Sequence, residues 1–182
     1  MTTTDQDALD PDEEPEKAKD PGGKNYITPD GYRKLQEEQE FLHFKKRPEV
    51  VRALADAAAE GDRSENAEYI YRKRQLRDID RRLRFIGKRL DIAFVVDPRD
   101  QPNRNRAFFG ATVRVADDDG QEQTFTIVGV DEIEGAVGAI SWQSPVGKAL
   151  LGKSEGDAVP VRLHVGSREL TILSISYPSK KP

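Results

Sequence analysis

A chain of 182 residues that is 36% apolar and 34% charged can hold one ordinary domain or two small ones. Its charge content fits an exposed two-helix rod better than a single compact globule. The absence of cysteine and the presence of only His43 and His164 exclude disulfides and thiolate metal sites, argue against a histidine-rich one, and fit a reducing compartment. With no window near the roughly 18 apolar residues of a membrane span, and no apolar centre of a secretory signal in Met1–Lys24, a soluble cytoplasmic protein without membrane contact is expected.

The net charge of −4 hides a segregation of sign. Residues 1–24 are acidic, carry Pro11, Pro15 and Pro21, and hold almost no large apolar side chain, so this stretch is expected to be a disordered tail. At Thr28-Pro29-Asp30 a capping residue, a proline suited to the first helical position and an acid favoured by the helix dipole mark the start of a helix. Tyr32, Leu35, Gln39 and Leu42 follow the 3-4 spacing of a coiled-coil seam, continued by Val50 or Val51, Leu54, Ala57 and Ala58. Pro48 interrupts the run, and a kink near Arg47 and Pro48 is expected. Gly61-Asp62-Arg63-Ser64 supplies a turn.

A second helix is expected from about Ser64 to Leu90, with Tyr69, Leu76, Ile79, Leu83, Ile86 and Leu90 as its heptad seam. A short turn makes the two helices antiparallel neighbours. At 1.5 Å per residue, the shared tip Glu60–Glu65 lies roughly 50 Å from the base of the rod. From Ile92 onward, short β-like runs follow: Phe94–Val96, Ala111–Val115, Thr124–Val130, Val137–Ile140, Ala158–Leu163 and Leu170–Ile175. Asp117-Asp118-Asp119-Gly120 and Gly166-Ser167 look like hairpin turns, and a short helix fits Pro145–Leu151. The expectation is an α+β chain: an acidic tail over 1–24, an antiparallel coiled-coil hairpin over 25–91, and a small antiparallel sheet with one helix over 92–182.

Asp62 and Glu65 carry the most informative chemistry. Three residues apart, they form a capping pair, with Asp62 as N-cap, or they present two carboxylates to a Mg²⁺ ion shared with another macromolecule. Spacing alone leaves both open. In two-metal phosphodiester hydrolysis, such an acidic turn would raise the occupancy of an ion the partner enzyme holds weakly. On the second helix, Arg72, Lys73, Arg74, Arg77, Arg81, Arg82, Arg84, Lys88 and Arg89 crowd into one stretch. They are either solvated and paired with acids such as Asp78 and Asp80, or they face a polyanion. Tyr69, Tyr71 and Phe85 offer rings on which bases could stack, but at their helical spacing they are expected at or near the seam. In Ser141-Trp142-Gln143-Ser144-Pro145, Ser144 is expected to cap the short helix and Pro145 to begin it, while Trp142 is either core or a surface anchor.

Ordered blocks of this chain resemble the bacterial Gre transcript-cleavage factors, their GreB branch in particular. The blocks are Arg47-Pro48-Glu49-Val50, Gly61 through Tyr69, Leu76 through Arg82, Phe108-Phe109-Gly110-Ala111, Phe125 with Ile127-Val128-Gly129, Asp131-Glu132-Ile133, and Ser144-Pro145 with Ala149-Leu150-Leu151. The resemblance runs from about Asn25 to Tyr177 and leaves the tail unmatched. It implies a C-terminal domain of FKBP-like fold that docks at the rim of the RNA polymerase secondary channel, on the largest subunit, while the coiled coil reaches the active centre. It also implies an accessory factor and not an enzyme, a monomer that stimulates the polymerase's own cleavage of backtracked RNA. Asp62 and Glu65 would be the catalytic acids, holding Mg²⁺ only together with the polymerase active centre, with no cofactor of the factor's own. Arg72, Arg74, Arg77, Arg81 and Arg82 would contact the nascent RNA 3′ end, and Ser144 and Pro145 the polymerase. Gln143 stands where the family commonly has Asp or Asn. The alternatives are a channel-binding regulator without cleavage, a prolyl isomerase and an inert coiled-coil adaptor.

Overall fold

The computed structural model describes residues 24–59, 66–134, 136–162 and 166–179. The acidic stretch up to residue 23 and the segment holding Asp62 and Glu65 lie outside the described residues. Helix α1 (Pro29–Phe41) starts as its sequence dictates: the Thr28 hydroxyl oxygen accepts from the Gly31 amide at 3.0 Å, Pro29 needs no donor, and Asp30 sits in the first turn. The chain then continues through helix α2 (Arg47–Ala59) without leaving right-handed helical dihedrals. Between them, however, Leu42–Lys46 wind as a π-turn, closed by the Arg47 amide donating to the Leu42 carbonyl five residues back.

This turn replaces the kink expected at Arg47 and Pro48. Pro48 offers no amide to the Phe44 carbonyl and its ring crowds that group, and one wider turn ahead of it relieves both conflicts. The extra residue also resets the seam. An uninterrupted heptad running on from Leu42 would bring Glu49 and Asp56 inward; instead Val50 and Ala57 are buried and those two acids are exposed.

Helix α3 (Ala67–Asp91) returns along the first pair, with Ile79 and Ile86 buried and Leu76, Leu83 and Leu90 half-buried on the expected face. Ion pairs between Arg47 and Asp80 at 2.8 Å and between Arg82 and Glu38 at 2.7 Å span the hairpin. At its base, strand β1 (Asn25–Ile27) pairs in parallel with β2 (Ala93–Val95). The run expected at Phe94–Val96 therefore closes the foot of the rod, adding no strand to the C-terminal sheet. No helix among the described residues is long and apolar enough to cross a membrane.

The C-terminal sheet has the order β5-β4-β3-β7-β6, built from β3 (Thr112–Asp117), β4 (Glu122–Val128), β5 (Ala139–Ser141), β6 (Ala158–Arg162) and β7 (Ser167–Ser176). It is antiparallel apart from the β4–β5 edge, which is parallel. Strand β5 lies later than the expected Val137–Ile140 because Gly138 turns at φ 75° and Val137 is fully exposed. The Asp117–Gly120 turn forms as expected. Gly120 has φ 76°, and the Asp117 side chain accepts from the Asp119 and Gln121 amides at 3.1 and 2.8 Å. The Gly166-Ser167 turn lies partly outside the described residues. Val113 and Val115, Val159 and Val161, and Leu170 and Ile172 alternate inward, against Leu150 of helix α4 (Pro145–Leu150).

A 3₁₀ turn, Val130–Glu132, joins this sheet to the foot of the rod. The Glu132 carboxylate accepts from the Thr28 amide at 3.0 Å, the Gly129 amide at 2.9 Å and the Thr28 hydroxyl, at the N-terminus of α1. The neighbouring Asp131 accepts from both Arg89, at 2.9 Å in the last turn of α3, and Asn25, at 3.0 Å. Arg89 in turn donates to the Asn25 side-chain oxygen at 2.6 Å. Two successive acids thus grip the positive end of one helix and a basic residue at the negative end of the other, where each charge is favoured by the helix dipole. Gly31 makes the first grip possible: a Cβ there would stand 2.3 Å from a Glu132 carboxylate oxygen.

Candidate functional site

The far end of the rod is organised by Asn66, which the sequence reading did not single out. Its side-chain oxygen accepts from the Tyr69 amide at 3.1 Å, capping α3, while its amide nitrogen donates to the Ala57 carbonyl of α2 at 2.8 Å. One residue thus satisfies an orphan donor of one helix and a carbonyl in the last turn of the other. It corrects two expectations. Helix α3 begins at Ala67 and not near Ser64, and its cap is Asn66 and not Asp62. Asp62 and Glu65 precede this cap in the chain and lie outside the described residues. The signal was in the sequence, since Asn is among the strongest N-caps, but Asp62 and Ser64 competed for the same reading.

The nine cations of α3 divide by partner. Arg72 is held by Glu68 at 2.7 Å and Gln75 at 3.2 Å. Arg82 donates two bonds to Glu38, at 2.7 and 2.8 Å, and that carboxylate, outweighing partial burial, raises the arginine's pKa. Arg89 belongs to the domain junction, and Arg81 makes an exposed pair with Asp78 at 3.3 Å. Lys73, Arg74, Arg77 and Arg84 are exposed, and no acid lies within ion-pair distance of them among the described residues. At 100° per residue, Lys73, Arg77, Arg81, Arg84 and Lys88 fall within an arc of roughly 80° on the side away from the seam. Of the five arginines expected to meet RNA, Arg74, Arg77 and Arg81 are exposed, whereas Arg72 and Arg82 are half-buried in partnerships within the hairpin. Lys73 and Arg84 belong to the same basic face and were passed over. Tyr71 and Phe85 are also displaced from expectation: they are 57% and 45% exposed, outside the seam.

In the sheet domain, Ser144 is the N-cap of α4. Its hydroxyl accepts from the Gly147 amide at 3.0 Å and donates to the Ser141 carbonyl at 2.7 Å. Pro145 occupies the first helical turn and is exposed. With the Ser144 hydroxyl engaged on both sides, Pro145 and the half-buried Gln143 present the accessible surface of this loop. Trp142 anchors the loop. It is half-buried, its ring centroid is 5.3 Å from that of Tyr26 in β1, and its buried indole nitrogen finds no hydrogen-bond partner among the described residues. This loop and the foot of the rod are therefore in direct contact.

A helical rod with an acidic link at one end is gripped at the other by a small sheet domain that carries an exposed loop, which makes this a two-part protein. Residues 25–95 match the family model described as "Transcription elongation factor, N-terminal", and residues 101–177 match "Transcription elongation factor, GreA/GreB, C-term". The chain is 50% identical over 154 residues to transcription elongation factor GreB of Neisseria meningitidis serogroup B, covering 85% of this chain and 94% of that one. It is 47% identical over 153 residues to the GreB of Yersinia pestis, covering 84% and 89%. Among solved structures, that of GreA factor homolog 1 (Gfh1) of Thermus thermophilus aligns over 85% of this chain and 99% of its own, with 22% identity and a TM-score of 0.40. The chain belongs to the GreA/GreB family of transcription elongation factors.

Proposed function

We propose that the chain enters the RNA polymerase secondary channel, docks by its sheet domain at the channel rim, and stimulates the polymerase's own cleavage of backtracked RNA. It is an accessory factor working in the cytoplasm as a monomer. The observation that carries this reading is the hairpin itself: a rod pinned at its foot and tied by Asn66 just below the acidic link. From Ala67 to Asp91 alone it extends about 37 Å, enough to carry the link well beyond the docking domain.

Asp62 and Glu65 are the acids delivered. Two carboxylates and no thiolate or imidazole nearby in sequence form a hard oxygen donor set that suits Mg²⁺ and would leave most of its ligands to the partner enzyme and water. Bound there, the ion supplies water activation and stabilisation of the leaving oxygen. The protein's own share is placement. The clasp at Asp131 and Glu132 sets the direction of the rod, the seam keeps it stiff, and Asn66 holds the roots of the link together. The exposed cations Arg74, Arg77 and Arg81, joined by Lys73 and Arg84, meet the phosphates of the extruded RNA 3′ end, and Pro145 with Ser144 and Gln143 meets the polymerase.

The test is cleavage in arrested elongation complexes assembled from purified polymerase. Asp62→Ala is expected to lower the cleavage rate at saturating factor by at least about 100-fold, the scale of losing a charge-stabilising group in a reaction centre, while still competing with the parent chain for polymerase. Undiminished cleavage by this variant refutes the proposal.

A further inference from the structure

Tyr71 and Phe85 are large aromatics on α3 that leave about half of their surface to solvent, at 57% and 45% exposure. Neither serves the seam. Each is backed by an arginine fixed elsewhere: the Arg72 guanidinium lies 5.4 Å from the Tyr71 ring centre, and that of Arg82 lies 5.2 Å from the Phe85 ring centre. Because Arg72 is tied to Glu68 and Arg82 to Glu38, these cations stiffen the rings and still place positive charge against them. The two rings stand fourteen residues apart, about 21 Å along the axis and within roughly 40° of one another around it. Arg74 lies on their side of the helix, whereas Lys73, Arg77 and Arg84, unpaired among the described residues, lie roughly 80–160° further round it.

The other exposed aromatics of the rod differ. Phe41 and Phe44 on the opposite helix line a shallow depression with Glu37, Glu40 and Lys45, a mostly acidic rim that repels phosphate. On α3 the depression beside Tyr71 is lined by Arg74 and Arg82 together with Glu38 and Asp78, acids already held by Arg82 and Arg81. Arg74 and the adjoining basic arc thus offer cations to phosphates beside rings that can meet bases, the combination that holds a single strand. A span of about 21 Å corresponds to roughly six nucleotides at stacked spacing and fewer when the strand is stretched. Both rings can therefore meet one strand.

We propose that Tyr71 and Phe85 are base-stacking positions for the extruded single strand of RNA, whose phosphates lie on Lys73, Arg74, Arg77 and Arg84. This rests on the RNA contact assigned to the basic face above and adds the chemistry that recognises bases. Stacking is indifferent to base identity, so the platform serves any transcript.

The experiment uses arrested complexes of purified polymerase whose extruded RNA carries either ordinary bases or abasic ribose, and measures the factor concentration giving half-maximal cleavage. With base-bearing RNA, Tyr71→Ala and Phe85→Ala are each expected to raise that concentration about 5-fold or more. Tyr71→Phe, which keeps the ring, restores the parent behaviour. With abasic RNA, the alanine variants and the parent chain coincide. An equal rise on both RNAs, or no rise on either while Arg77→Ala still weakens the factor, overturns stacking and leaves the phosphate contact standing. If Lys73→Ala and Arg77→Ala are also without effect, the RNA contact itself falls.

Discussion

The junction between rod and sheet yields the sharpest energetic test, because one glycine and one glutamate there occupy the same space. In Glu132→Ala, two backbone amides and the Thr28 hydroxyl lose their common acceptor. Each unsatisfied donor costs about 1–3 kcal/mol when dry, reduced here because water can reach a half-buried site, and the lost charge at the helix N-terminus adds about 0.3–1 kcal/mol. A total near 3 kcal/mol follows. Gly31→Ala places a methyl 2.3 Å from the Glu132 oxygen and 2.4 Å from its carboxyl carbon, so the carboxylate must leave. The same loss of about 3 kcal/mol is then offset by about 1 kcal/mol of helix propensity, for a net cost near 2 kcal/mol. Once Glu132 is already alanine, the added methyl meets no carboxylate and should stabilise by about 1 kcal/mol. The double variant therefore costs about 2 kcal/mol, and the coupling between the sites is about −3 kcal/mol. Urea unfolding, followed by far-ultraviolet ellipticity and by the fluorescence of the single tryptophan, Trp142 beside Tyr26, measures all four corners of the cycle. Additivity within about 0.5 kcal/mol would refute the reasoning.

Other perturbations test the remaining contacts. Arg89→Ala strands the Asp131 carboxylate, whose side chain is only 8% exposed, and is expected to cost about 3–5 kcal/mol in the same unfolding assay; a cost below about 1 kcal/mol would mean that Asp131 is satisfied without the arginine. Asn66→Ala should cost about 1–2 kcal/mol and speed hydrogen exchange of the Tyr69 amide, whereas Asn66→Asp keeps the cap and the amide's protection but offers no donor to the Ala57 carbonyl. Equal exchange rates in the two variants would contradict the assigned bond. Burial raises the Tyr177 pKa above its ordinary 10.0, opposed by the bond from the Phe108 amide. The phenol ionises first in the unfolded chain, so its contribution is intact below pH 10 and lost as pH rises through the folded value. Tyr177→Phe should flatten that alkaline decline in stability, and an unchanged slope would argue against it.

The rod was legible because its signals are local. Heptad spacing, Thr28-Pro29 and the polar link between the helices each act over a few residues. Strands with clean alternation, such as those holding Val113 and Val115 or Val159 and Val161, were legible for the same reason. What escaped depends on partners distant in sequence. Asn25–Ile27 becomes a strand only because Ala93–Val95 returns beside it, and three residues carry no periodicity of their own. The parallel β4–β5 edge is likewise a property of the turn between those strands and not of either run. Among the candidate residues, charge density marked the basic helix but not which cations were taken. Arg82 is claimed by Glu38, 44 positions away, and Arg89 by Asp131, 42 away. Proline marked a disturbance at position 48 without revealing that the backbone would absorb it as a π-turn in the preceding residues.

The parallel pairing of β1 with β2 means that the rod leaves and rejoins the sheet domain at neighbouring points, so its length is decoupled from its mounting. Removing one heptad from α1 and the facing heptad from α3 would preserve both anchorages and retract the far end by about 10 Å. The molecule is in this sense a gauge with a fixed flange and an adjustable stem. Evolution within such a scaffold can change the reach of the stem by whole repeats while the flange keeps its shape.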